Sequence, residues 1–251
     1  MIKFFRKIRY NLMNENKTGK YLKYAIGEIT LVVIGILIAL SINNWNQERI
    51  NALKETKILN TLLKDLEQAE LSSETHIKTE YEHIKSYELI LSAKAIQDQF
   101  INHPNIDSLF HEVIFNLSSK APVIFAYTDL KNAGETNLIS NEIIRKKLTL
   151  LESEIINLNN QLSDRLDVQQ ISLDKFAIDE INFVRTLTAL KNSYNLNYGQ
   201  ENDYHKLLQN QKFLNAIAVK LSLTDDALIN RINLLNEIKD LTKLIETELN
   251  Q

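Results

Sequence analysis

At 251 residues, with 44% hydrophobic and 24% charged residues, the chain is long enough to bury a core and too apolar for general disorder. It has no cysteine, which excludes disulfide frameworks and thiolate metal sites, and only five Gly and two Pro, so tight turns must be few and the composition predicts an all-α fold with long helices. The net charge of −3 is divided unevenly: residues 1–24 set seven Lys/Arg against Glu15, a balance of +6, and the other 227 residues carry −9. A basic head on an acidic body suits a membrane-facing tip and argues against a nucleic-acid partner.

The head comprises residues 1–21. Ile2, Phe5, Ile8 and Leu12 recur at helical spacing among Lys3, Arg6, Lys7 and Arg9. Two readings fit: an amphipathic helix on the inner leaflet, or a basic tail that only sets topology.

Residues 22–44 are the expected transmembrane helix. The run AIGEITLVVIGILIALSI over 25–42 carries one charge, Glu28. Eighteen residues at about 1.5 Å rise span roughly 27 Å, near the ~30 Å hydrocarbon core. Trp45 follows as an interface anchor beside Asn43 and Asn44. Seven cations precede the apolar run over 25–42, and only Arg49, Lys54 and Lys57 closely follow it, which predicts a cytoplasmic N-terminus and an external body. In a Gram-negative cell the body is then periplasmic. A cleaved signal peptide or a soluble core helix explains the length and the flanking cations less well. Glu28 at membrane depth either snorkels toward the interface or pairs with another helix, in which case Gly35 and Ala39 form a small-residue contact face.

Residues 45–251 read as a helical bundle. Between Trp45 and Gln99 there is neither Gly nor Pro, and apolar residues from Ile50 to Leu91 recur at steps of three and four. The membrane helix is therefore expected to continue outward as an amphipathic helix, with a bend near 72–75. Pro104 punctuates the chain, and Asp107 is the expected cap of a short helix over 109–117. Pro122 opens a helix over 123–133 that ends at Gly134, and Ser140 or Asn141 caps the next. That helix is expected to run through Leu162 and on to about Leu190. A polar loop over 192–202 precedes final helices over 204–220 and 227–249. Several helices with one apolar stripe each predict an elongated bundle, like a coiled coil.

No nucleotide-binding, nucleophile-elbow or zinc signature occurs. His76 and His83, with Glu80 between them, lie on one helix face, but the five histidines (with His103, His111 and His205) read as solvated surface residues. The carboxylates likewise read as solvated faces. Tyr194, Tyr198 and Tyr204 around Gly199 form the most site-like cluster, read first as tyrosines anchoring a loop. No catalytic residue, cofactor or metal site is assigned.

KYLKYAIGEITLVVIGILIALSINNWN over 20–46 resembles the N-terminal signature of a family of single-pass membrane proteins of unknown function, common in Bacteroidota. LKNAGETNLISNEIIRKKL over 130–148 and LIETEL over 244–249 resemble later parts of that family's pattern. The resemblance implies a Gram-negative inner membrane and a periplasmic body; it carries no site residues. In that setting Asp107-Ser108-Leu109 matches a short O-glycosylation pattern. The expected function is a non-enzymatic, membrane-anchored interaction module, scaffold or sensor-like, whose partners are the bilayer and either its own copies or other membrane proteins. The alternative is a membrane-anchored hydrolase whose site assembles only in three dimensions. About 21 cytoplasmic residues are too few for an output domain, so signalling would need a partner.

Overall fold

The longest uninterrupted stretch of sequence without Gly or Pro follows the apolar run, and it produces the longest helix. The computed structural model describes Tyr10 and residues 18–92, 105–118, 120–190, 196 and 199–250. The expectations for residues 1–9 and 11–17, for His103 and Pro104, and for Tyr194 and Tyr198 lie outside the described residues. Helix α1 covers Thr18–Ser92. It does not break at 72–75, where the Thr75 hydroxyl donates to the Leu71 carbonyl and stays within the helix. The remaining helices are α2 (Ile106–Phe115), α3 (Phe125–Asn132), α4 (Glu142–Val168), α5 (Lys175–Glu180), α6 (Phe183–Leu190), α7 (Tyr204–Gln209) and α8 (Gln211–Leu249). A 3₁₀ turn over Thr136–Leu138 precedes α4, and a π-helical segment over Gln169–Asp174 joins α4 to α5. The fold is all-α, with no strand among the described residues.

The chain divides into two units, Met1–Lys57 and Ile58–Gln251. In the first, an apolar window within α1 is long and apolar enough to cross a membrane, and none of it is buried. Between positions 22 and 42, thirteen large apolar or aromatic side chains face outward on every side, including Ile34, Leu37 and Leu40. A helix apolar all round requires an apolar surrounding.

The second unit has two apolar clusters. One gathers Leu59, Leu62 and Leu66 of α1, Tyr127 and Leu130 of α3, Leu148 to Leu162 of α4, and Leu234 to Ile245 of α8. The other gathers Tyr87 and Ile90 of α1, Phe110 to Ile114 of α2, Leu173 and Ala177, Tyr204 and Leu207 of α7, and Phe213 and Ile217 of α8. Burial makes the apolar stripes fold; specific polar contacts place the ends. Asp65 of α1 accepts from Ala126 N at 2.7 Å, setting a carboxylate on the N-terminal turn of α3. That helix starts three residues after Pro122, which lies outside it. Its C-terminus is a Schellman motif: Glu135 N donates to Leu130 O and Gly134 N to Lys131 O, both at 3.0 Å, with Gly134 at φ 69°. Asn141, not Ser140, caps α4, its Oδ1 accepting from Ile143 N at 2.9 Å and Ile144 N at 3.3 Å.

Three boundaries differ from expectation. Asp107 lies inside α2, and its carboxylate is engaged in tertiary contacts instead of capping. The α4 stripe stops short of 190 because the π segment shifts its phase and the chain extends at Ile181. The last helix is unbroken through 221–226, because Lys220 and Thr224 are buried polar members of its inner face. Its break comes earlier, at Asn210, which caps α8.

Candidate functional site

The buried face of α1 proceeds in alternating steps of three and four: Leu59, Leu62, Leu66, Ala69, Ser73, His76, Glu80, His83, Tyr87, Ile90. The same frame runs through α4 into the π segment as Leu151, Ile155, Leu158, Leu162, Arg165, Gln169, and through α8 as Ile217, Lys220, Thr224, Ala227, Arg231, Leu234. All three stripes turn polar at one level, between the two apolar clusters. Glu80 is fully buried there, and Arg165 and Arg231 are each 1% exposed.

The contacts are those of a charged core. Arg165 grips Glu80 in a two-pronged pair, Nη1 to Oε2 and Nη2 to Oε1, both at 2.9 Å. Arg231 Nε donates to Glu80 Oε1 at 3.2 Å. Both guanidiniums also reach residues that follow α2: Arg165 Nη2 donates to Ser118 O, and Arg231 donates through Nη1 to Lys120 O at 2.9 Å and through Nη2 to Ser118 Oγ at 3.4 Å. Burial alone would raise the Glu80 pKa, but contact with His83, Arg165 and Arg231 outweighs it and lowers the carboxyl to about 2. Burial depresses Arg231 in turn. Two guanidiniums against one carboxylate leave an excess positive charge in the interior.

Lys220 adds to this layer. Its ammonium donates to Val113 O at 2.9 Å and Ile114 O at 3.1 Å, the carbonyl end of α2, and lies 5.4 Å from the Tyr87 ring centre. Burial, assisted by Arg165, lowers its pKa to about 7. The layer is not fully satisfied: Ser73 Oγ, His83 Nδ1, Arg165 Nε and Gln169 Oε1 are buried without a hydrogen-bond partner. Each such group costs about 1–3 kcal/mol, so the layer weakens the fold it sits in.

Above the charged core opens a groove of about 390 Å³, lined by Thr75, His76, Thr79, His83, Ser118 and Lys120 among others. His76 Nδ1 is 3.1 Å from Ser118 Oγ. His83 is 5% exposed and stands 3.6 Å from Glu80 Oε2. Burial, then the nearby Arg231 charge, lowers the His76 pKa. The reading of the histidines as solvated is thus corrected for His83 and for His111, which is buried, lies 3.4 Å from the Thr186 hydroxyl and stacks on Phe183. The reading of the carboxylates as solvated is corrected for Glu80. Their heptad positions were the available signal, because α1 keeps its 3-4 spacing straight through them.

Tyr204 performs the anchoring expected of it. Its ring stacks on Phe110 at 4.1 Å and its hydroxyl donates to Asp107 Oδ1, while Arg185 Nε lies 3.6 Å from Asp107 Oδ2. Burial and the Asp107 contact raise the phenol pKa. Ser108, beside Asp107, is half-buried within α2.

In the first unit Glu28 is half-exposed, Gly35 and Ala39 are exposed, and Trp45 is 65% exposed. A Cβ added at Gly35 would meet nothing within 4 Å, so the position is open to a neighbouring helix or to lipid. No group of three or more His, Asp or Glu side chains fit to hold a metal occurs among the described residues. No family model, curated protein or solved structure matches the chain.

Proposed function

We propose that this chain is a single-pass inner-membrane protein whose helix over 22–44 anchors a periplasmic helical bundle, and that it works as a non-enzymatic interaction module, scaffold or sensor-like, through partners. The observation that carries this reading is the exposed apolar window of α1, whose side chains would each contribute about 1.5–3 kcal/mol on transfer out of water. The cations before the window and the scarcity of cations after it support a cytoplasmic N-terminus. The likeness of residues 20–46 to the Bacteroidota family signature supports a Gram-negative setting, and the 3-4 spacing of the inner faces supports a coiled-coil-like bundle.

Glu28, Gly35 and Ala39 form the proposed membrane contact face, for a second copy or another membrane protein, and Trp45 the interface anchor. The hydrolase alternative has one observation in its favour, the His76–Ser118 pair in an open groove. Against it, Glu80 is committed to two guanidiniums and is not available to orient His76. The test is crosslinking of the full chain in native membranes, followed by pull-down, with Gly35→Leu and Glu28→Gln compared with the parent. Loss of a crosslinked species in either variant is expected; an unchanged pattern in both would remove the contact face. A chain extracted by alkaline carbonate would overturn the anchor itself.

A further inference from the structure

We infer that the groove over the charged core is a binding site for a small oxyanion, a carboxylate or phosphate group carried on a hydroxylated molecule. The inference is independent of where the membrane lies. Its first support is charge. Arg165 and Arg231 face a single carboxylate, Glu80, and they donate to groove-lining residues, Arg165 to Ser118 O and Arg231 to Lys120 O and Ser118 Oγ. A buried excess of positive charge calls for an anion nearby, and the groove is the opening through which one could approach.

Its second support is the set of groups that line the groove. Ser118 Oγ accepts from Arg231 Nη2 at 3.4 Å and lies 3.1 Å from His76 Nδ1, which ties the groove wall to the charged core. His76, the exposed Lys120 and Asn116 line the groove together, an imidazole, an ammonium and an amide able to donate to an anion. His83 lines the same groove, with its Nδ1 turned to Glu80 Oε2 at 3.6 Å.

The hydroxylated character follows from two threonines that also line the groove. Thr75 and Thr79 spend their hydroxyl hydrogens on the Leu71 and Thr75 carbonyls, at 2.9 and 3.0 Å, so both oxygens are acceptors toward the groove. A ligand that fits this lining presents oxyanion oxygens to His76 and Lys120 and hydroxyl groups to the threonines. The volume of about 390 Å³ suits a small metabolite and not a polymer.

The experiment titrates the full chain, in detergent micelles at constant ionic strength, with sodium phosphate, gluconate and acetate, reading the imidazole resonances of His76 and His83. Saturable shifts are expected with phosphate or gluconate, weakened at least tenfold by Lys120→Ala and by His76→Gln (read at His83), and unchanged by Lys64→Ala on an exposed part of α1. Phosphate as the tighter ligand identifies a phosphate source, and gluconate a hydroxy acid. Equal affinity for acetate and gluconate overturns the hydroxylated part. No saturable shift with phosphate or gluconate, or shifts of equal strength in both groove variants, overturns the site.

Discussion

Between positions 22 and 42 the protein turns thirteen large apolar side chains outward, whereas at Glu80, Arg165, Lys220 and Arg231 it turns charges inward. Both regions invert the ordinary arrangement, and they resolve it differently. The apolar segment finds nothing to satisfy it among the described residues of its own unit, since its backbone groups are used within the helix and its side chains meet no complementary surface there. Its solution has to come from an external apolar phase or another helix. The charged layer carries most of its solution within itself, as carboxylate against guanidinium and ammonium against carbonyl. The lesson is that an exposed apolar surface points to placement of the molecule, while buried charge points to register and to what the adjoining groove can hold. Polar residues at heptad core positions fix which layers of neighbouring helices meet, because any slip would set Glu80 or Arg165 against leucine.

The comparison breaks most visibly at Glu80. Glu80→Ala leaves two guanidiniums buried without their acceptor and should cost about 3–5 kcal/mol in denaturant unfolding. A loss below about 1 kcal/mol would mean that the layer is solvated in solution. The same carboxyl predicts acid sensitivity. Its folded pKa of about 2 lies below the ordinary 4.5, so its stabilisation is complete above 4.5 and is lost as pH falls toward 2.

The other side of the comparison is tested by Ile34→Arg, at the centre of the exposed window. It should leave the fold of the second unit unchanged and impose an insertion cost of about 2.5–3.5 kcal/mol, measured as the membrane-inserted fraction in a translocation assay. Unaltered insertion would show that the window is not the anchor.

A smaller effect belongs to Lys220. Its folded pKa of about 7 lies below the ordinary 10.5, so the unfolded chain binds more protons between those values and stability rises with pH across that window. Between pH 7 and 8 the rise should be about 1 kcal/mol. Lys220→Met keeps the volume and should remove that rise, measured as the difference in unfolding free energy between the two pH values for parent and variant. The same slope in both proteins would place the titration elsewhere.

Much of the architecture was legible in local chemistry. The scarcity of Gly and Pro anticipated the long helices, Gly134 its left-handed cap, and Asn141 its N-cap, because these depend on a few neighbouring backbone groups. Boundaries that depended on distant partners were not legible. Asp107 has the chemistry of a cap, but Tyr204, 97 residues away, takes its carboxylate. The polar step at Lys220 and Thr224 resembles a break until α2 supplies carbonyls for the ammonium. His83 and Glu80 read as surface residues because a polar side chain in a helix is ordinarily solvated, and only the uninterrupted 3-4 frame argued otherwise.

The sequence by itself determined the all-α class, the apolar segment and the charge asymmetry around it. Each is a sum over adjacent residues, so no folding was needed to read it. Only the tertiary structure decided that Glu80, Arg165 and Arg231 meet, that Lys220 ends α2, and that His76, Ser118 and Lys120 share one groove. Those contacts join residues 42 to 151 positions apart, and their worth depends on the low dielectric that packing creates around them.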